Sequence, residues 1–287
     1  MTEIPARVGV VGGGRMGAGI AQVFATLGSA VTLVETADRQ AALDRVVAGL
    51  RRADERDKLD GRDVDEVAGR VSTAAAVHDL ARDTDLVVEA VPEVPALKVA
   101  VLTAVEVAVG TRTVIASNTS SISIAELGAA LTDPSRFVGM HFFNPVPASS
   151  LVEIVRSPTT STSAVDVVRR WVAMLGKSEV LVNDSPGFAT SRLGVCLGLE
   201  AIRMLEDGIA DAESIDRAME LGYRHPMGPL RSTDLVGLDV RLAIAEHLEG
   251  TLGGRFSPPQ LLRDKVARGH LGRKSGRGFH EWEGSTS

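Results

Sequence analysis

The sequence predicts an α/β protein: a doubly wound, mostly parallel sheet domain followed by a smaller all-helical domain. Three observations predict it. A strand, a glycine turn, a helix and a second strand open the chain over residues 7–35. Short apolar runs of strand type then alternate with helical patterns as far as residue 182. Beyond residues 183–187 (Asn-Asp-Ser-Pro-Gly) the hydrophobic period becomes helical and stays so. The predicted domains are 1–183 and 184–287.

Residues 7–11 are the first apolar run, and Gly12, Gly13, Gly14, Arg15, Met16 and Gly17 fill the pattern GxGxxG. Met16, Ile20, Val23, Phe24 and Leu27 then follow at helical spacing, Gly28 closes the helix, and residues 30–34 form a strand ending at Glu35. In such a Rossmann-type unit each part has a task. Gly12 permits the tight turn, Gly14 admits a pyrophosphate and Gly17 lets helix and strand approach. The helix N-terminus offers N–H groups to phosphate, and Glu35 is placed to take ribose hydroxyls. A glycine turn alone is weak evidence. Its setting between strand and helix, with an acid after the next strand, favours a dinucleotide over a merely structural turn. Glu35 would repel a 2′-phosphate, which favours NAD over NADP, while Arg15 and Arg39 are cations close enough to temper that preference.

Asp38 is a candidate cap for a helix over residues 41–50, expected to run on into the charged stretch 51–65. That stretch reads from its pattern as a solvated face. Strands are expected near 70–73, at 85–90 and at 113–117, the last two buried on both faces. Pro95 opens a helix over 96–109. Residues 122–130 read as helix, 137–142 and 151–155 as strands, 163–175 as a helix and 179–182 as a final strand. Beyond the boundary four helices are expected, around 193–205, 215–219, 236–252 and 258–267, before a glycine-rich turn at 269–279.

The bulk properties narrow the class. With 287 residues, 44% hydrophobic and 24% charged, the chain has material for two domains with cores. A net charge of −6 and the lack of a basic stripe argue against nucleic acid as a partner. No apolar run approaches the roughly 20 residues that span a bilayer. No signal or transit pattern precedes the first strand, so a cytoplasmic location is expected. The single cysteine, Cys196, lies among apolar residues at helical spacing and reads as a buried structural thiol. No Cys or His cluster has metal-ligand spacing.

Ligands of such sheets bind beyond the carboxyl ends of strands. The glycine turn, Glu93 and the polar run Asn118, Thr119, Ser120, Ser121 fall there. His141 sits on a predicted strand near the same edge, with Glu153 on the next strand and Asn144 between them. A neutral His exchanges a proton near pH 7, and a carboxylate at its other nitrogen suits a base that becomes cationic. On chemistry alone a satisfied structural His stands level with a base, and Asn118 and Asn144 also suit turns. A Ser–His–Glu hydrolase is the weaker reading, because the nucleophile elbow GxSxG is absent.

These residues resemble the NAD-dependent 3-hydroxyacyl-CoA dehydrogenases, most of all the free-standing short-chain 3-hydroxybutyryl-CoA type. The matching runs are residues 12–22, 117–121, 141–145, 184–188, 226–229 with 234–239, and 272–279, so the resemblance covers essentially the whole chain. It implies an NAD cofactor, an acyl-CoA thioester as substrate and a homodimer through the helical domain. His141 matches the base that takes the hydroxyl proton as hydride leaves for the nicotinamide, and Glu153 the acid that orients it. Ser120 matches the serine that hydrogen-bonds the reacting oxygen, and Asn144 a second polar group at the substrate. Gly12, Gly14, Arg15, Met16, Gly17 and Glu35 match the dinucleotide fingerprint. Glu93, Lys98 and Asn118 match positions toward the nicotinamide. Lys58 matches a position that meets coenzyme A phosphates, which turns the region from Arg51 to Lys58 into an expected CoA contact.

Two departures stand out. The family's usual Asp is Glu35 here, which keeps the charge. Its usual Asn in the helical domain is Ser191, a shorter side chain whose substrate contact is expected to be lost or bridged by water. Dehydrogenases of small free hydroxy acids share the layout but use a lysine early in the helical domain. No Lys lies between Lys177 and Lys265. An NAD-binding structural or regulatory protein is the third reading, and it would have no need of His141 and Glu153.

Overall fold

The computed structural model describes residues 4–282. The chain divides into two compact units, Met1–Ser185 and Pro186–Ser287. In the first, β1 (Arg7–Val11), β2 (Ala30–Val34), β3 (Val71–Ala74), β4 (Leu86–Glu89), β5 (Val114–Ser117), β6 (Phe137–Phe142), β7 (Leu151–Arg156) and β8 (Ser178–Asn183) form one sheet. The order is β3-β2-β1-β4-β5-β6-β7-β8. Every pairing is parallel except that between β6 and β7. The helices are α1 (Arg15–Leu27), α2 (Arg39–Asp54), α3 (Val64–Ala68), α4 (Pro95–Ala108), α5 (Ile124–Gly128) and α6 (Thr162–Met174). β4, β5 and β6 are buried along their whole length, as mainly apolar strands covered on both faces are, and they carry the polar Glu89, Ser117 and His141 into the interior.

Local chemistry sets the element ends. Asp38 accepts the Ala41 N–H at the head of α2, and Ser161 accepts that of Ala164 at the head of α6. α1 ends at Gly28, whose φ of 115° is open to glycine and whose N–H returns to the Phe24 and Ala25 carbonyls. Phe24, Ile20 and Ala21 turn the buried face of α1 onto the sheet.

The helix expected to run on to residue 65 stops at Asp54. Asp57 and Asp60 take positive φ, which a short Asp side chain tolerates, and Leu59 is drawn into the core. Asp63 then caps α3 with its side chain on the Asp65 and Glu66 N–H groups. The helix expected over 122–130 is the short α5, started by the Ser123 cap.

The second unit contains α7 (Thr190–Glu206), α8 (Ala212–Tyr223), α9 (Pro229–Val236), α10 (Leu238–Leu252) and α11 (Gln260–Ala267). One more helix is present than the periodicity suggested. Gly237, at φ 103°, breaks the 236–252 pattern, and α9 precedes it with Pro229 at its first position. Val195, Leu199, Ile202, Ile215, Leu230, Leu238, Leu248, Phe256 and Leu262 form the core. Cys196 is exposed rather than buried. Val195 and Leu199 take the inward face of α7, and Cys196 shares the outward one with Leu193.

The glycine-rich tail is pinned by two buried acids. Asp234 accepts the Phe279 and His280 N–H groups and the Trp282 indole N–H, each at 2.9 Å. Asp216 accepts the Leu230 and Arg231 N–H groups at the head of α9 and the His280 ring at 2.8 Å. Gly278 lies so close to Asp234 that a Cβ there would fall 2.0 Å from Oδ1.

Candidate active site

At the carboxyl edge of the sheet, the glycine turn follows β1 and leads into α1. Gly12 has φ 106°, and its N–H bonds the Val34 carbonyl at 2.9 Å. A Cβ on Gly17 would meet the Gly12 oxygen at 1.8 Å, so backbone packs directly on backbone. A Cβ on Gly14 would meet nothing within 4 Å. Protein therefore does not fill the space above the helix N-terminus, where no side chain caps α1. This open cradle fits a pyrophosphate.

Glu35 leaves the end of β2 and returns to the turn. Its Oε2 accepts the Gly13 N–H and its Oε1 the Ala37 N–H, both at 2.9 Å. The Ala37 N–H, with help from Gly13, Thr36 and Arg45, holds the carboxyl below the ordinary glutamate range despite partial burial. The acid thus stands beside the turn, tied to it by backbone hydrogen bonds.

A second cluster gathers after β4 and β5. Lys98, almost wholly buried on α4, bonds Glu89 Oε1 at 2.7 Å and Glu93 Oε2 at 3.2 Å. Glu93 Oε1 accepts the Thr119 hydroxyl at 2.6 Å, the Ser120 N–H at 2.8 Å and the Ser120 hydroxyl at 3.2 Å. Burial pushes the Glu93 carboxyl up. The Lys98 ammonium and the Thr119 and Ser120 donors outweigh that and hold it below its usual range. Asn118 spans β5 and β6, accepting the Phe142 N–H at 2.9 Å. Glu89 escapes notice in the sequence because it ends an apolar run, where a lone acid reads as a strand terminus.

The third element is a pair on the antiparallel strands. His141 on β6 stands in register with Glu153 on β7. Nδ1 of His141 lies 2.9 Å from Oε2 of Glu153, which has no exposed surface. The ring packs on Phe143 with centroids 4.3 Å apart. Because the parallel strands β5 and β6 align Ser117 with Gly139, His141 lies two residues past the last register pair, beyond the carboxyl end of β5.

A cleft of about 1080 Å³ opens in the same unit. Its wall carries seven cations (Arg15, Arg45, Arg52, Arg56, Lys58, Arg62, Lys177) and one acid, Asp60, with Asn144, Val146 and Pro147 alongside. Arg45, Arg52 and Arg56 share one stripe of α2 and its extension. Arg51 is exposed and off that stripe, so of the two basic residues expected here only Lys58 lines the cleft. Lys177 donates to the Val146 carbonyl at 2.7 Å and the Ser149 carbonyl at 2.5 Å, fixing the loop after Asn144. Its burial lowers its pKa. Ser191 is half-buried in the first turn of α7, in the second unit.

An open glycine cradle, an acid beside it and a His–carboxylate pair on one sheet edge fit an NAD-dependent oxidoreductase. The family model for the 3-hydroxyacyl-CoA dehydrogenase NAD binding domain matches residues 7–185, and that for the C-terminal domain of the same enzymes matches residues 187–282. The chain belongs to the 3-hydroxyacyl-CoA dehydrogenase family. It is 42% identical over 287 residues to the 3-hydroxybutyryl-CoA dehydrogenase of Mycobacterium tuberculosis, covering 98% of this chain and 100% of that one. A probable 3-hydroxybutyryl-CoA dehydrogenase of Bacillus subtilis is 40% identical over 281 residues, 97% of this chain and 98% of that one. Among solved structures, (S)-3-hydroxybutyryl-CoA dehydrogenase PaaH1 from Ralstonia eutropha superimposes with a TM-score of 0.91 at 40% identity, covering 97% of this chain and 99% of that one.

Proposed function

We propose that the chain catalyses the reversible NAD-dependent oxidation of a short-chain (S)-3-hydroxyacyl-CoA to the 3-ketoacyl-CoA, with 3-hydroxybutyryl-CoA and acetoacetyl-CoA as the pair. The observation that carries the mechanism is the buried His141–Glu153 pair at 2.9 Å. NAD, when bound, supplies the hydride acceptor. His141 takes the hydroxyl proton as the carbon–hydrogen bond breaks, and the oxygen keeps the electron pair that becomes the carbonyl. Glu153 holds the Nδ1–H and stabilises the imidazolium that forms. Ser120 and Asn144 hydrogen-bond the reacting end of the substrate. Gly12, Gly14, Arg15, Met16, Gly17 and Glu35 hold the adenosine diphosphate portion of the cofactor, and Glu93, Lys98 and Asn118 its nicotinamide end.

The cationic cleft supports coenzyme A as the handle. Lys58, Arg52 and Arg56 present point charges and forks suited to phosphate. Residues 184–287 serve as the substrate and dimerisation domain, with Ser191 as a substrate contact. The exposed Leu193, Leu221 and Tyr223 on that unit support a homodimer through it. The test is NADH oxidation with acetoacetyl-CoA, free acetoacetate and a longer 3-ketoacyl-CoA. Turnover should be fastest with acetoacetyl-CoA. Absence of turnover with any thioester defeats the reading, and a faster longer chain defeats its short-chain part.

A further inference from the structure

Glu89 has no assigned role, yet it is wholly buried at the end of β4, after three apolar residues. An apolar residue would continue that strand equally well, and a buried charge is costly unless paired. Glu89 receives three donors: Lys98 Nζ at 2.7 Å, the Ser117 hydroxyl at 2.6 Å and the Val91 N–H at 2.7 Å. Lys98 Nζ also reaches the Val91 carbonyl and Glu93, and Glu93 in turn holds the Ser120 backbone and hydroxyl. An unbroken line of contacts therefore joins Glu89 to Ser120. It contains two carboxylates and one ammonium. Its location is the edge where the glycine turn passes, since a Cβ on Gly12 would meet the Ala90 carbonyl at 2.8 Å. The Asn118 N–H bonds the Glu89 carbonyl at the same place.

We propose that Glu89 is a positioning residue: it anchors Lys98, through Lys98 sets Glu93 against Ser120, and leaves the cluster one net negative charge that favours the oxidised cofactor over the reduced one. The inference rests on the dehydrogenase reading above. The electrostatic reason is that the nicotinamide ring is cationic when oxidised and neutral when reduced. Fixed charge on a low-dielectric edge discriminates between the two. Lys98 alone would repel the oxidised ring, and Glu93 alone would only neutralise Lys98. The third charge, from Glu89, sets the sign of the cluster.

The test measures dissociation constants, NADH by its fluorescence and NAD by competition, with Glu89→Gln, Glu89→Asp and the double variant Glu89→Gln/Lys98→Met. Glu89→Gln cancels the net charge and should weaken NAD about tenfold while NADH changes less than about twofold. Glu89→Asp keeps the charge and should keep the affinity ratio, but it shifts Lys98 and lowers kcat with acetoacetyl-CoA at nearly constant KM. The double variant removes the Glu89–Lys98 pair together, leaves Glu93 on its Thr119 and Ser120 donors, and again totals one negative charge. It should restore the affinity ratio without restoring kcat. An unchanged ratio in Glu89→Gln overturns the proposal. So does an equal loss of both cofactors accompanied by a fall in Tm, which marks a structural role. If Glu89→Gln does not fold, the double variant decides by itself, because a ratio departing from wild type refutes the charge argument. Wild-type protein that binds both cofactors but reduces no thioester would defeat the functional reading and leave the ratio test standing.

Discussion

Replacing Glu153 by Gln isolates the electrostatic share of the proposed base. The side chain has no exposed surface and its Oε2 stands 2.9 Å from His141 Nδ1. Gln preserves volume and an oxygen acceptor, so the hydrogen bond survives and the charge does not. Opposite charges about 4 Å apart interact by about 4 kcal/mol at an effective dielectric of about 20. That attraction exists only once the imidazole has taken the proton, so it lowers the transition state and not the ground state. With relaxation of the surroundings the loss falls between about 2 and 4 kcal/mol, a decrease in kcat of roughly 30- to 1000-fold. In the oxidation direction, KM for 3-hydroxybutyryl-CoA should stay within about threefold, because uniform binding is untouched. The assay follows NADH absorbance under saturating substrate across a range of pH, with circular dichroism to verify the fold. A kcat within about threefold of wild type, with an unmoved pH–rate profile, would refute the reasoning.

Four further perturbations probe other parts of the molecule. Gly17→Ala drives a methyl to 1.8 Å from the Gly12 oxygen, so it should cost about 3 kcal/mol, lower Tm by about 6–12 °C and abolish NADH binding. Gly14→Ala meets open space and should leave Tm unchanged while weakening NADH about tenfold; a thermal scan and a fluorescence titration separate the two variants. Charge reversal at Arg52 and Lys58 on the cleft wall should raise KM for acetoacetyl-CoA about tenfold, with the difference shrinking in high salt, and equal KM values would remove the cleft from CoA binding. Glu35 and Glu93 are held below their ordinary 4.5 in the folded chain. Their stabilisation is thus full above about that pH and lost as pH falls through the lower folded values. Urea midpoints should drop below pH 4.5, and Glu93→Gln should flatten part of that drop.

The parts of the site that depend on local chemistry were readable in the chain. The glycine turn declares itself because only glycine adopts the φ of Gly12 and survives the contact at Gly17. His141 and Glu153 were placed on neighbouring strands by the short apolar runs that contain them. What escaped depended on tertiary neighbours. Arg51 and Arg52 are equal in composition, and only the phase of α2 against the cleft separates them. Cys196 has apolar neighbours on both sides, so its outward position follows from which stripe of α7 meets the core. Pro229 and Gly237 are a start and a stop that would have revealed α9 had the apolar pattern across Gly237 not masked them. Glu89 is invisible for a different reason: its significance lies in Lys98, nine residues on, and Ser117, on the adjacent strand.

The antiparallel pairing of β6 and β7 has a consequence for how such a chain can be altered. Side chains alternate faces, so sliding one strand by a single residue would put Ile154 or Val152 opposite His141 and send Glu153 to the other side of the sheet. Inserted or deleted residues in the connection at 143–150 need not cause that slip, because the ladder of paired residues resists it. The same connection carries the segment from Asn144 to Ala148 that walls the cleft. Beyond Phe143, whose ring packs on His141, loop length can be varied to reshape the cleft wall while the His141–Glu153 pair stays in register.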